Sequence, residues 1–179
     1  LNPKGIILDL RGNPGGYLPT AIDVASEFIS EGTVMLQEFG DGSVETYTAS
    51  GKGLALQVPL VVLINAGSAS ASEIVAGAIQ DTGRGILIGE TSYGKGSVQN
   101  WRPLKDDQGA VRVTIARWLT PNGRQINGKG ITPDIEVPLT EDDRTAGRDP
   151  QLDAALDFLT GKTGAVNPPS GMRVLLVGI

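Results

Sequence analysis

Three serines, Ser68, Ser70 and Ser72, fall within "NAGSASASEIVAG", and one lysine, Lys95, stands between two glycines in "GETSYGKGSVQ". A serine hydroxyl becomes a useful nucleophile only when a base removes its proton. The sequence holds no His and no Cys. That excludes a Ser-His-Asp triad, a thiol nucleophile and a His/Cys zinc site together. Any catalysis must rest on Ser, Thr, Lys, Tyr, Asp, Glu or the backbone.

Both segments admit a second reading. The lysine segment almost spells the phosphate-cradling G-x-x-x-x-G-K-[ST], but Gly96 stands where the hydroxyl residue belongs. A phosphate loop follows a strand and opens a helix. "ILIG" supplies the strand, whereas "GSVQNWRPL" carries Val98, Trp101 and Pro103 without an apolar helical stripe, so no nucleotide is expected. In the serine segment, a strand ending in a Gly-Ser turn and entering a helix exposes a hydroxyl beside free backbone N–H groups aimed at any oxyanion formed there. Yet Ser70-Ala71-Ser72-Glu73 is also a capping box, in which Ser70 serves only the helix end. Pattern alone does not choose among the three serines.

The elements that must position these residues alternate early and turn strand-rich later. "GIILDL" (5–10) is a short buried strand feeding the tight loop "RGNPGG". Ile22, Ala25, Phe28 and Ile29 recur at helical spacing after Pro19, which predicts a helix over 20–30. Segments 34–39 and 44–48 flank an Asp-Gly turn as a hairpin. "VPLVVLI" (58–64) is a central strand, and Ile74, Val75, Ala78 and Ile79 predict a helix over 71–81 closed by Gly83. "GILIGE", 97–103 and the ten alternating residues 110–119 are further strands, the last half-buried, with a turn over 106–109. A short strand in "GKGITPDIEV", a charged linker "TEDDRTAGRDP" and a capped helix in "DPQLDAALDFLTG" follow. Residues 161–179 read as an edge strand, a linker or a disordered end. The class is α/β with a mixed β-sheet flanked by helices.

The bulk composition agrees with a soluble fold. The chain has 179 residues, 40% hydrophobic and 20% charged, enough for one sizeable core. A net charge of −5 argues against nucleic acid, whose phosphates need clustered Lys and Arg. No run of 18 apolar residues and no signal-peptide pattern is visible. Because it starts without Met and enters a strand almost at once, the sequence reads as a piece of something longer.

Four motifs, "GIILDLRGNPGG", "LINAGSASASEIVAGAIQD", "GETSYGKGSVQ" and "GKGITPDIEV", stand in the order and spacing of the carboxy-terminal processing peptidases, or tail-specific proteases. The chain resembles this serine-lysine endopeptidase family, S41, from about Lys4 to Val137, and more loosely to about Thr160. The resemblance implies a ClpP/crotonase-like spiral core over 1–160, with 161–179 a tail or link. By motif position it makes Ser70 the nucleophile and Lys95, 25 residues on, the base. It makes Gln99 the residue that orients the lysine, and the Gly16 and Ala71 amides the oxyanion hole. It implies cleavage of polypeptides with apolar C-terminal tails, no metal or cofactor, an extracytoplasmic home, room for an oligomer, and a PDZ domain outside these residues.

The proton chemistry is independently reasonable. A free lysine has a pKa of about 10.4, so only about one in 10³ is neutral at pH 7. Bringing it to about 7–8 requires roughly 3–4.5 kcal/mol of destabilisation of the ammonium, which burial among apolar or backbone groups can supply. Gln99 is a neutral acceptor that can aim the amine while stabilising its charge less than a carboxylate would. If 95–99 is extended, Lys95, Ser97 and Gln99 share one face. Glu73 has two readings, as a cap or as a carboxylate contacting substrate; Tyr93 either lines the pocket or packs. Asp9 and Arg11 read as an ion-paired framework. A non-catalytic domain binding proteins or apolar ligands on the same framework is the rival, against which an intact Ser-Lys-Gln set counts.

Overall fold

The structure, a computed structural model, describes residues 3–162 and 174–178. In chain order the first half comprises β1 (Gly5–Asp9), α1 (Leu18–Ser26), β2 (Thr33–Phe39), β3 (Val44–Thr48), β4 (Leu60–Ile64) and α2 (Ala71–Asp81). Then come β5 (Ile86–Gly89), β6 (Ser97–Pro103), β7 (Ala110–Leu119), β8 (Ile135–Glu136), α3 (Glu141–Thr145), α4 (Pro150–Thr160) and β9 (Val174–Gly178). Parallel and antiparallel pairing segregate into two sheets. The parallel sheet runs β8-β5-β4-β1-β9 and the antiparallel one β3-β2-β7-β6.

β4 is the middle strand of the parallel sheet and is buried at every position. Its continuous apolar run follows from cover on both faces. Ile6, Leu8, Leu60, Val62 and Ile64 pack toward α1, α2 and β2, while Ile7, Val61, Leu63 and Ile88 meet Ala155 and Leu159 of α4. Each such aliphatic side chain contributes about 1.5–3 kcal/mol when fully buried. The loops at the C-terminal ends of β1, β4 and β5 are thereby fixed to a rigid base, and they carry the residues discussed below.

α2 has the bounds its periodicity predicts, with Gly83 in the left-handed region at φ 65° just past its end. α4 is capped by Asp149, whose carboxylate accepts from the Leu152 N–H at 3.0 Å, and ends at Gly161. Three elements differ from the sequence expectation. α1 starts at Leu18 and stops at Ser26; Phe28 and Ile29 stay buried because their N–H groups still bond the Ala25 carbonyl in a terminal turn. The charged linker contains α3, capped by Thr140, whose hydroxyl accepts from the Asp143 N–H. β7 is half-buried only in its second half, where Ala116 and Trp118 are covered; Ala110–Thr114 extend beyond the core with β6. Of the three readings of the tail, 174–178 form an edge strand pairing parallel with β1, so the sheet does not end with the 1–160 segment. No helix among the described residues is long and apolar enough to cross a membrane.

Candidate active site

The "RGNPGG" loop after β1 and the "NAGSASAS" loop after β4 are tied together by Asn13. Its carboxamide oxygen accepts the Gly15 N–H at 2.9 Å, an Asx turn. Its carbonyl accepts the Ala69 N–H at 3.0 Å and the Ser72 hydroxyl at 3.1 Å. Gly15 has φ 95°, and a Cβ there would lie 2.5 Å from the Ala69 carbonyl oxygen and 2.7 Å from the Ala71 nitrogen. Only glycine allows this approach. It brings the next amide, Gly16, to the start of α2.

The structure separates the three serines. Ser68 is fully buried, donating to the Leu10 carbonyl at 2.7 Å and accepting from the Asn65 N–H. Ser72 is spent on Asn13. Ser70 lines the cleft that Lys95 also lines, whereas Ser72 borders a different pocket, and the Ser70 backbone is unusual, at φ 56° and ψ −116°. Such a conformation costs on the order of 1–3 kcal/mol for a residue with a Cβ and persists only where the surroundings impose it. Here it turns the side chain outward at the N-terminus of α2, where unpaired amides and the helix dipole favour negative charge.

What imposes it is Glu73. This residue is fully buried, and its carboxylate accepts four hydrogen bonds: from the Ser70 N–H (2.8 Å) and Lys95 N–H (2.9 Å) on Oε2, and from the Ser92 hydroxyl (2.6 Å) and Gly94 N–H (2.6 Å) on Oε1. It caps α2 and also grips the lysine loop. Of the two readings of Glu73, this geometry fits the cap, for the residue has no exposed surface and all its donors are internal. Ser92 completes the clamp by accepting the Ile131 N–H at 2.7 Å. Gly94, at φ 86°, must lack a Cβ because one would meet the Gly130 nitrogen at 2.7 Å and the Ile126 oxygen at 2.8 Å. The lysine loop is held from both sides.

Gly16, Ser70, Ala71, Lys95 and Gln99 line one cleft of about 280 Å³. Its remaining wall is largely apolar, from Leu18, Met35, Ile74, Val98 and Trp118. Trp118 is buried, and its indole N–H donates to the Lys95 carbonyl at 2.8 Å. Lys95, Ser97 and Gln99 all line the cleft, but so does Val98, and β6 begins only at Ser97 with a register shift between Val98 and Gln99, so strict alternation does not set this wall. Ser70 Oγ and Lys95 Nζ are not hydrogen-bonded to each other; Gln99 donates to the Thr114 hydroxyl at 3.4 Å rather than contacting the lysine. Tyr93 is 67% exposed and does not line this cleft; it borders a second one of about 690 Å³ on the other side of Lys95.

Behind the Gly16 loop, Arg11 donates to both Asp9 oxygens (2.9 and 2.6 Å), to Asp149 (2.8 Å) and to Gln151 (3.0 Å). Hydrogen bonding to Asp9 raises the guanidinium pKa further above its already high ordinary value. Burial pushes the Asp149 carboxyl up, but the bonds from Arg11 and the Leu152 N–H outweigh it and hold the group below the usual range. The framework reading of Asp9 and Arg11 fits this geometry, and the network joins α4 to the start of the Gly16 loop. The sequence reading missed Asn13 and Ser92. Asn13 carried a signal, the Asx-turn pattern "NPG"; Ser92 carried none.

The family model for peptidase family S41 matches residues 2–137. The carboxyl-terminal-processing protease of Synechocystis sp. is 44% identical over 174 residues, covering 96% of this chain and 40% of its own. The carboxy-terminal-processing protease of Bartonella bacilliformis is 50% identical over 77% of this chain and 32% of its own. The chain therefore spans two fifths or less of the length of these relatives. Among solved structures, a photosystem II D1 C-terminal processing protease superposes with a TM-score of 0.72 at 41% identity, over 75% of this chain and 35% of that one. Mature CPAF, 16% identical with a TM-score of 0.76 over 92% of this chain and 46% of its own, shares the fold.

Proposed function

This chain belongs to peptidase family S41, and from that premise and the geometry of the cleft we propose that residues 1–160 carry the catalytic core of a serine endopeptidase that cuts polypeptides near their C-termini. One observation carries the proposal: Ser70, on a strained backbone, shares a cleft with Lys95, Gln99 and the Gly16 and Ala71 amides.

In the reaction, Ser70 Oγ attacks the scissile carbonyl carbon as the neutral Lys95 amine takes its proton. The carbonyl oxygen becomes an oxyanion that accepts from the Gly16 and Ala71 N–H groups, the latter at the positive end of α2. Lys95 then delivers the proton to the leaving amine, and the C–N bond breaks to leave an acyl ester on Ser70. A water, deprotonated by Lys95, hydrolyses the ester and restores both residues. The sequence begins with a side-chain rotation that brings Lys95 to Ser70, and Gln99 exchanges Thr114 for the amine. Glu73 and Trp118 fix the Lys95 backbone so that only its flexible stem need move.

The apolar wall of Leu18, Met35, Ile74, Val98 and Trp118 suits an aliphatic substrate side chain beside the scissile bond, in keeping with apolar-tailed substrates. An extracytoplasmic setting is proposed on the family's behalf; one relative, from Tetradesmus obliquus, is named as chloroplastic. A full-length protease carrying this segment should convert an unfolded, apolar-tailed protein into a product shortened at its C-terminus, seen by intact-mass spectrometry. Ser70→Ala should abolish that product. Undiminished cutting by Ser70→Ala would sink the proposal.

A further inference from the structure

The cleft does not stop at Lys95. On β6 the outward row Ser97, Gln99, Trp101 faces Thr114 and Arg112 of β7, with Gln99 opposite Thr114 and Trp101 opposite Arg112. Arg112 lines both the 280 Å³ cleft of Ser70 and the 690 Å³ cleft beyond the lysine; Lys95, Ser97 and Gln99 also line both, so the two form one groove. The groove's charges are of one sign. Among the described residues Lys95 and Arg112 are its only charged lining residues, with no Asp or Glu beside them, in a chain of net charge −5. Arg112 forms no ion pair among the described residues, and its guanidinium lies 6.0 Å from the centroid of the Trp101 ring. That distance is the outer edge of a cation–π contact, so the indole attracts the guanidinium weakly and leaves its N–H groups free to receive a carboxylate bidentately.

The direction of the reaction says which half of a substrate reaches it. Lys95 must protonate the leaving amine, so the leaving segment runs along the wall that carries Lys95, and Arg112 is on that wall. When the cut falls near a C-terminus, the leaving segment is short and ends in a carboxylate. We propose that Arg112 is a specificity residue that takes a carboxylate of the leaving segment, either the terminal one or that of an acidic side chain. This rests on the catalytic reading above and adds a recognition element to it. A partly solvated Arg–carboxylate contact predicts roughly a three- to tenfold effect on kcat/KM.

The test uses a full-length protease carrying this segment and peptides that share one apolar cut site. One pair ends in a free acid or its amide. A second set is amidated and carries Asp or Asn at successive leaving-side positions. For the wild type, the carboxylate-bearing member of at least one pair should be cut three- to tenfold more efficiently, mainly through KM. Arg112→Gln should lower that ratio three- to tenfold, and Arg112→Lys should keep part of it. A carboxylate reader elsewhere in the longer chain acts equally on wild type and variant, so it cancels when the ratios are compared. A response confined to the acid/amide pair identifies the terminal carboxylate; one confined to Asp/Asn identifies a side chain. A ratio unchanged by Arg112→Gln, or a wild-type ratio of one in both sets, overturns the inference and leaves the catalytic reading standing. Failure to cut any peptide, or cutting by Ser70→Ala, overturns both.

Discussion

Replacing Glu73 with Gln keeps the side chain's size and removes one of its two acceptor ends. The carboxylate now serves Ser70 and Lys95 N–H on one oxygen and the Ser92 hydroxyl and Gly94 N–H on the other. An amide nitrogen cannot accept, so one pair of donors is deserted whichever way it points. Hydrogen bonds to a charged acceptor contribute about 1.5–3 kcal/mol each. With the NH2 facing Ser92 and Gly94, Ser92 can rotate its hydroxyl away, which limits the loss to about 2–3 kcal/mol; the opposite orientation costs more. Glu73→Ala orphans all four donors and should cost at least about 4 kcal/mol. In the favoured orientation the oxygen still serves Ser70 and Lys95, so the Gln variant should lose about tenfold or less in kcat through the loosened Gly94, whereas Glu73→Ala, which frees both backbones, should lose about 10²-fold, as expected when reacting groups shift by about 1 Å. Urea unfolding and steady-state peptide hydrolysis, on the same full-length preparation, read the two effects. A Glu73→Gln protein within 0.5 kcal/mol of wild type whose only defect is a raised KM would refute the clamp and restore Glu73 as a substrate contact.

Gly15→Ala should reduce kcat at least tenfold and destabilise by about 2–4 kcal/mol, since its Cβ would collide with the Ala69 oxygen and Ala71 nitrogen and its φ of 95° disfavours a side chain; thermal melts and kinetics check both. Trp118→Phe removes the bond to the Lys95 carbonyl and, because phenyl is smaller than indole, leaves a small cavity at a buried position, predicting a stability loss of about 2–3 kcal/mol and a lower kcat. Asp149→Asn keeps a good helix cap but loses the Arg11 ion pair, a cost of about 0.5–1 kcal/mol at pH 7 after allowing for solvent screening. The Asp149 carboxyl is depressed in the folded state, so its contribution is present above its unfolded pKa of about 3.9 and is lost as pH falls through the lower folded value. Denaturation curves of wild type and Asp149→Asn should therefore converge below about pH 4; a constant gap down to pH 2 contradicts the assignment.

α2 was legible to the residue, because Ser70 and Glu73 mark its start, Gly83 its end, and the apolar stripe fills the interval. The strands β1, β4 and β5 were legible for the same local reason, as short apolar runs between turn residues. What pattern could not supply was tertiary. That Glu73 serves Ser92, Gly94 and Lys95 depends on a loop some twenty residues away folding back onto the start of α2, and no periodicity encodes that return. Choosing Ser70 over Ser68 and Ser72 likewise required knowing which hydroxyls the neighbouring loop consumes. In β7, alternation announced a strand but could not reveal that only Ala116 and Trp118 would find cover, since the elements that bury a face lie elsewhere in the sequence. α1 read too long because Phe28 and Ile29 keep the helical spacing through a turn that continues its hydrogen bonds briefly beyond Ser26.

The central claim is that Ser70 and Lys95 act as one unit, and the measurement that addresses it most directly is kcat/KM for Lys95→Ala, Ser70→Ala and the double variant on one apolar-tailed substrate. Each single variant should lose about 10³-fold or more and the double should fall no further than the worse of the two, the signature of groups that work together. Near-wild-type turnover by Lys95→Ala, or losses that multiply in the double variant, would contradict the account.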